Sequence, residues 1–212
     1  MRELIEQYFL QSGVGWALIG AAAAMMLGCV GSARGIRVAA GQTAGVLSEK
    51  PELFGKLLVL TALPGTQGFY GFIATVMICL RCGVLKNEVS VGPLVGVALM
   101  FLGIACGVVQ LKSASFQGET AAASINMTAR RPDQGGRAIL LPALVETYAV
   151  VALLTTILVT LWLTPESGLR FRAQKAAGPA PAAAAAPDVP AKTTAPEPAG
   201  APGGAQPVSD SK

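Results

Sequence analysis

The sequence predicts an all-α integral membrane protein of four transmembrane helices, arranged as a duplicated helical hairpin that assembles into a ring. Three observations predict the membrane helices. Of the 212 residues, 52% are hydrophobic and only 13% are charged, a membrane composition. Four runs without basic residues are long enough to cross a bilayer, where about 20 residues suffice: Gly13–Ala33, Leu57–Leu80, Val89–Leu111 and Ala138–Pro165. None shows the period-two alternation of a barrel strand, and a chain in lipid must satisfy its backbone internally, so these are helices.

The first span is longer than the 7–15 residues of a signal-peptide apolar region, and only Arg2 precedes it. It reads as a retained helix. Gly20, Ala24 and Gly28 form a row of small residues on it, continued by Gly31 and Gly35. The third span repeats the pattern in Gly92, Gly96, Gly103 and Gly107. Such rows let helix backbones approach closely in lipid, either within one bundle or along the inner wall of a ring.

The second span holds Leu63-Pro64-Gly65-Thr66-Gln67-Gly68-Phe69-Tyr70-Gly71-Phe72. Pro64 has no N–H, so the helical ladder is loosened there and the carbonyl of Leu60 loses its partner. Thr66 adds a hydroxyl and Gln67 an amide oxygen. The fourth span is interrupted only by Glu146, the one carboxylate of twelve that lies inside an apolar run. Placing an ionisable group at such depth costs about 2.5–3.5 kcal/mol on insertion scales, so Glu146 reads as a functional site on an ion or proton path.

Leu63-Pro64 followed by Tyr70 recurs about 78 residues on as Leu141-Pro142 followed by Tyr148, and Gly41-Gln42-Thr43-Ala44 is echoed by Gly118-Glu119-Thr120-Ala121. The expected hairpins span about 10–85 and 88–165, within a membrane domain of residues 1–167. Glu146 then corresponds to Gly68. Residues 168–212 are rich in Ala, Pro and Gly and are expected to form a disordered extension.

Charge bears on topology. Arg34, Arg37, Lys50 and Lys56 follow the first span, and Lys112, Arg130, Arg131 and Arg137 follow the third. The middle connection has only Arg81 and Lys86. The two basic connections are expected in the cytoplasm and both termini outside, in an inner or plasma membrane. Scattered basic residues without interleaved aromatics exclude a nucleic-acid partner. Cys29, Cys79, Cys82 and Cys106 lie in or beside the spans. Without histidine or a second CxxC pair they read as packing residues and not as a zinc site.

Glu146, Gln67, Thr66, Gln110 and a backbone oxygen beside Pro64 supply a carboxylate, two amide oxygens, a hydroxyl and a carbonyl. This is a hard-cation donor set, and one carboxylate balances one monovalent ion. The extra oxygens favour sodium. The alternative is a proton on Glu146, held by Tyr70 or Tyr148. At about 1.5 Å per residue from the basic connections, Glu146 and Gln67 lie at similar depth, and Gln110 comes out shallower. It reaches their level if the third helix continues through Ser113–Gln117.

The motif LPGTQGFYGF in the second span, with VETYA in the fourth, resembles the proteolipid ring subunit of V-type ATPases. In particular it resembles the sodium-translocating bacterial kind, the four-helix c or K subunit. The resemblance covers roughly residues 10–165. It implies ion ligands at Glu146, Thr66, Gln67, the Leu63 carbonyl and Gln110, with Tyr70 steadying the carboxylate beside Pro64 and Gly68. It implies a homo-oligomeric ring in lipid, attached to central-stalk subunits and facing a stator membrane subunit with an essential arginine. The chain itself would perform no catalysis. Each Glu146 would carry sodium, or a proton, as ATP hydrolysis elsewhere turns the ring. A small four-helix antiporter and a glutathione-transferase-type membrane enzyme are the other readings considered.

Overall fold

The computed structural model describes residues 3, 6–84 and 91–164. A π-helical turn at Glu6–Leu10 leads into α1, Val14–Glu49. The next helix is broken in two: α2, Phe54–Ala62, and α3, Thr66–Arg81, joined by a 3-10 turn at Leu63–Gly65. Then follow α4, Pro93–Arg130, the short α5, Gly135–Ala138, and α6, Leu140–Leu163. The helices form four segments long and apolar enough to cross a membrane, and the chain is a multi-pass membrane protein. No strand occurs among the described residues.

The breaks sit where the prolines predict. At Pro64 the missing N–H and the ring's clash with the preceding turn replace an α-helical turn with a 3-10 one. Pro142 falls in the first turn of α6, where a helix has no use for the absent donor.

α1 and α4 are the central pair, and both outrun the expected spans. With 36 and 38 residues they are about 54 and 57 Å long, against a hydrocarbon core of about 30 Å. Arg34 and Arg37 therefore lie within a helix and not in a loop, a correction to the boundary of the first span, and Lys112 lies within α4. The anticipated continuation of the third helix through Ser113–Gln117 is present.

Glycines set the α1–α4 distance. Gly13 faces Gly96, Gly20 faces Gly103 and Gly35 faces Gly118, each so closely that a side chain on one would run into the backbone of the other. The separation along the chain is the same in every pair. A constant separation means that the two helices run parallel, as a tandem repeat of hairpins requires. The hairpins themselves are antiparallel. Gly68 N–H donates to Ser32 Oγ (2.8 Å) and Thr75 Oγ1 to the Ala21 carbonyl (2.6 Å), so partners descend on α1 as they rise on α3. In the second hairpin Gln110, Ser113 and Gln117 of α4 meet Ala149, Val145 and Pro142 of α6 in the same descending order.

Three small apolar clusters stack along the bundle. One joins Ala17, Ile78, Val91 and Leu99, a middle one joins Ala24, Ala74, Cys106 and Leu153, and a third joins Ala39, Leu57, Leu60 and Ile125. The four cysteines are free, and Cys82 and Cys106 are buried in these clusters. Large apolar side chains, among them Phe69, Phe101, Leu158 and Trp162, point outward. Such a surface suits lipid or other copies, since no water-facing helix would carry it. Lys86 and the tail from residue 168 lie outside the described residues.

Candidate ion-binding site

Leu63, Thr66, Gln67 and Tyr70 are spaced three, four and seven residues apart, so the second span presents them on one face. The 3-10 turn supplies the first of them: the Leu63 carbonyl accepts the Thr66 backbone N–H and also the Thr66 hydroxyl, at 3.2 Å. One turn on, Tyr70 reaches across to α6 and its hydroxyl donates to Glu146 Oε1 at 2.7 Å. Tyr148, the other candidate partner of the carboxylate, is 73% exposed and points away from the bundle.

The second oxygen of Glu146 is met from α4. Gln117 Nε2 lies 3.4 Å from Glu146 Oε2 and 3.1 Å from the Pro142 carbonyl. The oxygen of the same amide, Gln117 Oε1, accepts from Gln67 Nε2 at 2.6 Å. Glu146, Tyr70, Gln117 and Gln67 thus form one hydrogen-bonded chain across three helices. Both carboxylate oxygens are met by a donor, one from α3 and one from α4. Gln67 and Gln117 are fully buried and Glu146 is half-buried.

Gln67 Oε1 is buried and has no hydrogen-bond donor. An orphaned amide oxygen in an apolar interior costs about 1–3 kcal/mol unless something binds it. A cation is one such partner, and Gln67 sits two hydrogen bonds along the chain from the carboxylate. No group of three His, Cys, Asp or Glu side chains converges among the described residues. A cation held here would rely on Glu146 and on neutral oxygens.

The structure does not bring Gln110 into this group. Its amide nitrogen donates to the Ala149 carbonyl at 3.0 Å, its oxygen is buried without a donor like that of Gln67, and Gln117 is the α4 glutamine that meets the carboxylate. The physical reason is the antiparallel register of α4 and α6. Glu146 lies between Pro142 and Ala149 on α6, and the α4 side chain that reaches both Pro142 and Glu146 is seven residues beyond Gln110. The shallow depth of Gln110 was the signal in the sequence, since extending α4 carries Gln117, not Gln110, past the lysine at position 112. Thr66 pairs with the Leu63 carbonyl and its side chain also hydrogen-bonds Tyr70, so it meets the carboxylate only through that tyrosine.

Gly68, the expected counterpart of Glu146 in the first hairpin, packs on α1. A side chain there would begin 3.3 Å from Ser32 Oγ, tighter than ordinary contact.

The family model for the C subunit of ATP synthase matches the chain twice, at residues 19–78 and 100–159, one match in each hairpin. The V-type sodium ATPase subunit K of Enterococcus hirae is 32% identical over 151 residues, covering 70% of this chain and 92% of the relative. The A-type ATP synthase subunit K of Methanocaldococcus jannaschii is 36% identical over 149 residues, covering 70% of this chain and 64% of that longer protein. Two tandem matches, and a relative matched over nearly its whole length, place the four-helix chain, with Glu146 in the second repeat, in the ATP synthase C-subunit family.

Proposed function

We propose that this chain is the rotor ring subunit of a V-type rotary ATPase and that it carries sodium on Glu146. The observation that carries the ion assignment is the hydrogen-bonded chain Tyr70–Glu146–Gln117–Gln67, which ends in an unpartnered, buried Gln67 oxygen. A site built for a proton needs a carboxylate and one partner. Two buried glutamines beside it supply oxygens that a proton does not use but that sodium does. The sodium ATPase subunit from Enterococcus hirae, 32% identical, supports the same ion.

In this reading the ligands are Glu146 and Gln67, with Gln117 in place of Gln110, whose amide can present either oxygen or nitrogen. Thr66 and the Leu63 carbonyl line the same face one turn away. Sodium is cargo. Its charge cancels that of Glu146, so the loaded site can turn through lipid at far lower cost than the bare carboxylate. The proposed partners are further copies of the chain in a ring, central-stalk subunits, and a stator whose arginine displaces the ion. The chain performs no catalysis itself. One carboxylate per four helices moves fewer ions per turn for a given helix count, which favours pumping against steep gradients. Membership of the family selects this reading over the antiporter and the transferase.

The two basic ends lie together, since Lys50 Nζ donates to the Ala129 carbonyl (2.6 Å) and Lys56 Nζ to that of Pro132 (3.0 Å). We assign that end to the cytoplasm.

The test is carbodiimide labelling of Glu146 in membranes holding the assembled complex. Sodium is expected to slow labelling at constant pH and ionic strength, and potassium is not. Equal rates with and without sodium would leave Glu146 as a proton carrier.

A further inference from the structure

α6 is apolar on nearly every side: Leu144, Val151, Leu154 and Leu158 are exposed while Ala149 and Leu153 are buried. In lipid, apolar surface gains nothing by facing another helix, so α6 has little apolar preference for one rotation about its axis. The function needs one rotation only. A slip of one residue turns a helix by about 100° and moves it about 1.5 Å, which would carry Glu146 away from Tyr70 and Gln117.

A polar ladder on α4 opposes that slip. Gln110, Ser113 and Gln117, spaced three and four residues apart, form one stripe. They are 0, 5 and 0% exposed. Each donates to a backbone carbonyl of α6: Gln110 Nε2 to Ala149 at 3.0 Å, Ser113 Oγ to Val145 at 3.2 Å, and Gln117 Nε2 to Pro142 at 3.1 Å. A carbonyl has a second lone pair beyond its helical bond, so the rungs do not unwind α6. The Val145 rung falls on the residue before Glu146, and the Ala149 rung lies nearly one turn after it. Gln117 also touches the carboxylate, whereas Gln110 and Ser113 bond only backbone carbonyls of α6 at this interface.

We propose that Gln110 and Ser113 are positioning residues: by bracketing Glu146 they set the register and rotation of α6, and so the geometry of the ion site. The inference rests on the reading of Glu146 as the ion carrier.

The experiment compares Gln110→Met, Ser113→Ala and Ser113→Thr with wild type in membranes containing the assembled complex. It follows carbodiimide labelling of Glu146 at fixed pH, first without sodium and then against sodium concentration. Loss of one rung should weaken sodium protection by about threefold to tenfold, the effect of one ordinary hydrogen bond. It should also speed sodium-free labelling, because the carboxylate is held less firmly. Ser113→Thr, which keeps the hydroxyl, should restore both. Assembled variants with unchanged protection and unchanged sodium-free rates would overturn the proposal. So would a loss confined to Gln110→Met, which would make Gln110 act on the ion and not through α6. If wild type shows no sodium protection, the sodium reading fails, and the sodium-free rates still decide the ladder.

Discussion

Gln117 couples Glu146 to Gln67: its amide nitrogen lies 3.4 Å from Glu146 Oε2, and its oxygen accepts from Gln67 Nε2 at 2.6 Å. The carboxylate of α6 and the motif of α3 therefore communicate through a residue of α4. Removing the amide breaks both bonds at once and leaves the Gln67 nitrogen without its acceptor. Gln117→Ala and Gln67→Ala are each expected to weaken sodium protection of Glu146 about tenfold or more, since bonds involving a charged group are worth about 1.5–3 kcal/mol and 1.4 kcal/mol is a factor of ten. Protection curves against sodium at fixed pH measure this, and curves that overlay the wild type would remove both glutamines from the ligand set.

Glu146→Gln keeps the size and hydrogen-bonding capacity of the side chain but removes the charge. Assembled rings are expected, because Tyr70 can still donate to the amide oxygen. Ion transport and the ATP hydrolysis coupled to it should fall to background. Sodium uptake into vesicles is the direct measurement, and wild-type uptake by the variant would end the assignment of Glu146 as carrier.

The glycine pairs between α1 and α4 leave no room for a side chain. At Gly103 an added Cβ would run into the backbone of Gly20. Gly103→Val should separate the helices and destabilise the bundle by about 1–3 kcal/mol or more, the range for overpacking in a filled interior. Gly41→Val, with nothing within 4 Å of the added atom, is the control and should be tolerated. Yield of detergent-stable assembly reports the difference.

The proposed sidedness rests on the basic ends. Cysteines introduced near Arg130 should react with an impermeant reagent from the cytoplasmic side, and those near Lys86 from outside. The opposite pattern would invert the orientation of all four helices.

The Ala/Pro-rich extension is expected to be dispensable for the membrane domain, because its composition gives it no core to pack. Truncation after Lys175 should leave assembly and transport unchanged in the same vesicle measurement. Loss of assembly would reveal a binding role for the segment.

The sequence by itself determined the membrane class, the four helices, the tandem hairpins, the break at Pro64 and the identity of the one carboxylate inside an apolar run. Each of these is local. Apolar run length, a missing N–H and an isolated charge act on the helix that contains them, whatever surrounds it. Tyr70 was legible for a similar reason, because it shares a motif with Gln67. The choice between Gln110 and Gln117 was not local. Both are buried glutamines on one face of α4, and helical spacing treats them alike. Only the antiparallel register of α4 against α6, set by side chains meeting backbone carbonyls, brought Gln117 to Glu146 and left Gln110 on Ala149. The length of α1 and α4 was hidden for a related reason: beyond the bilayer a helix is no longer required by the lack of water, and the close glycine contact between the two carries them on past the apolar runs.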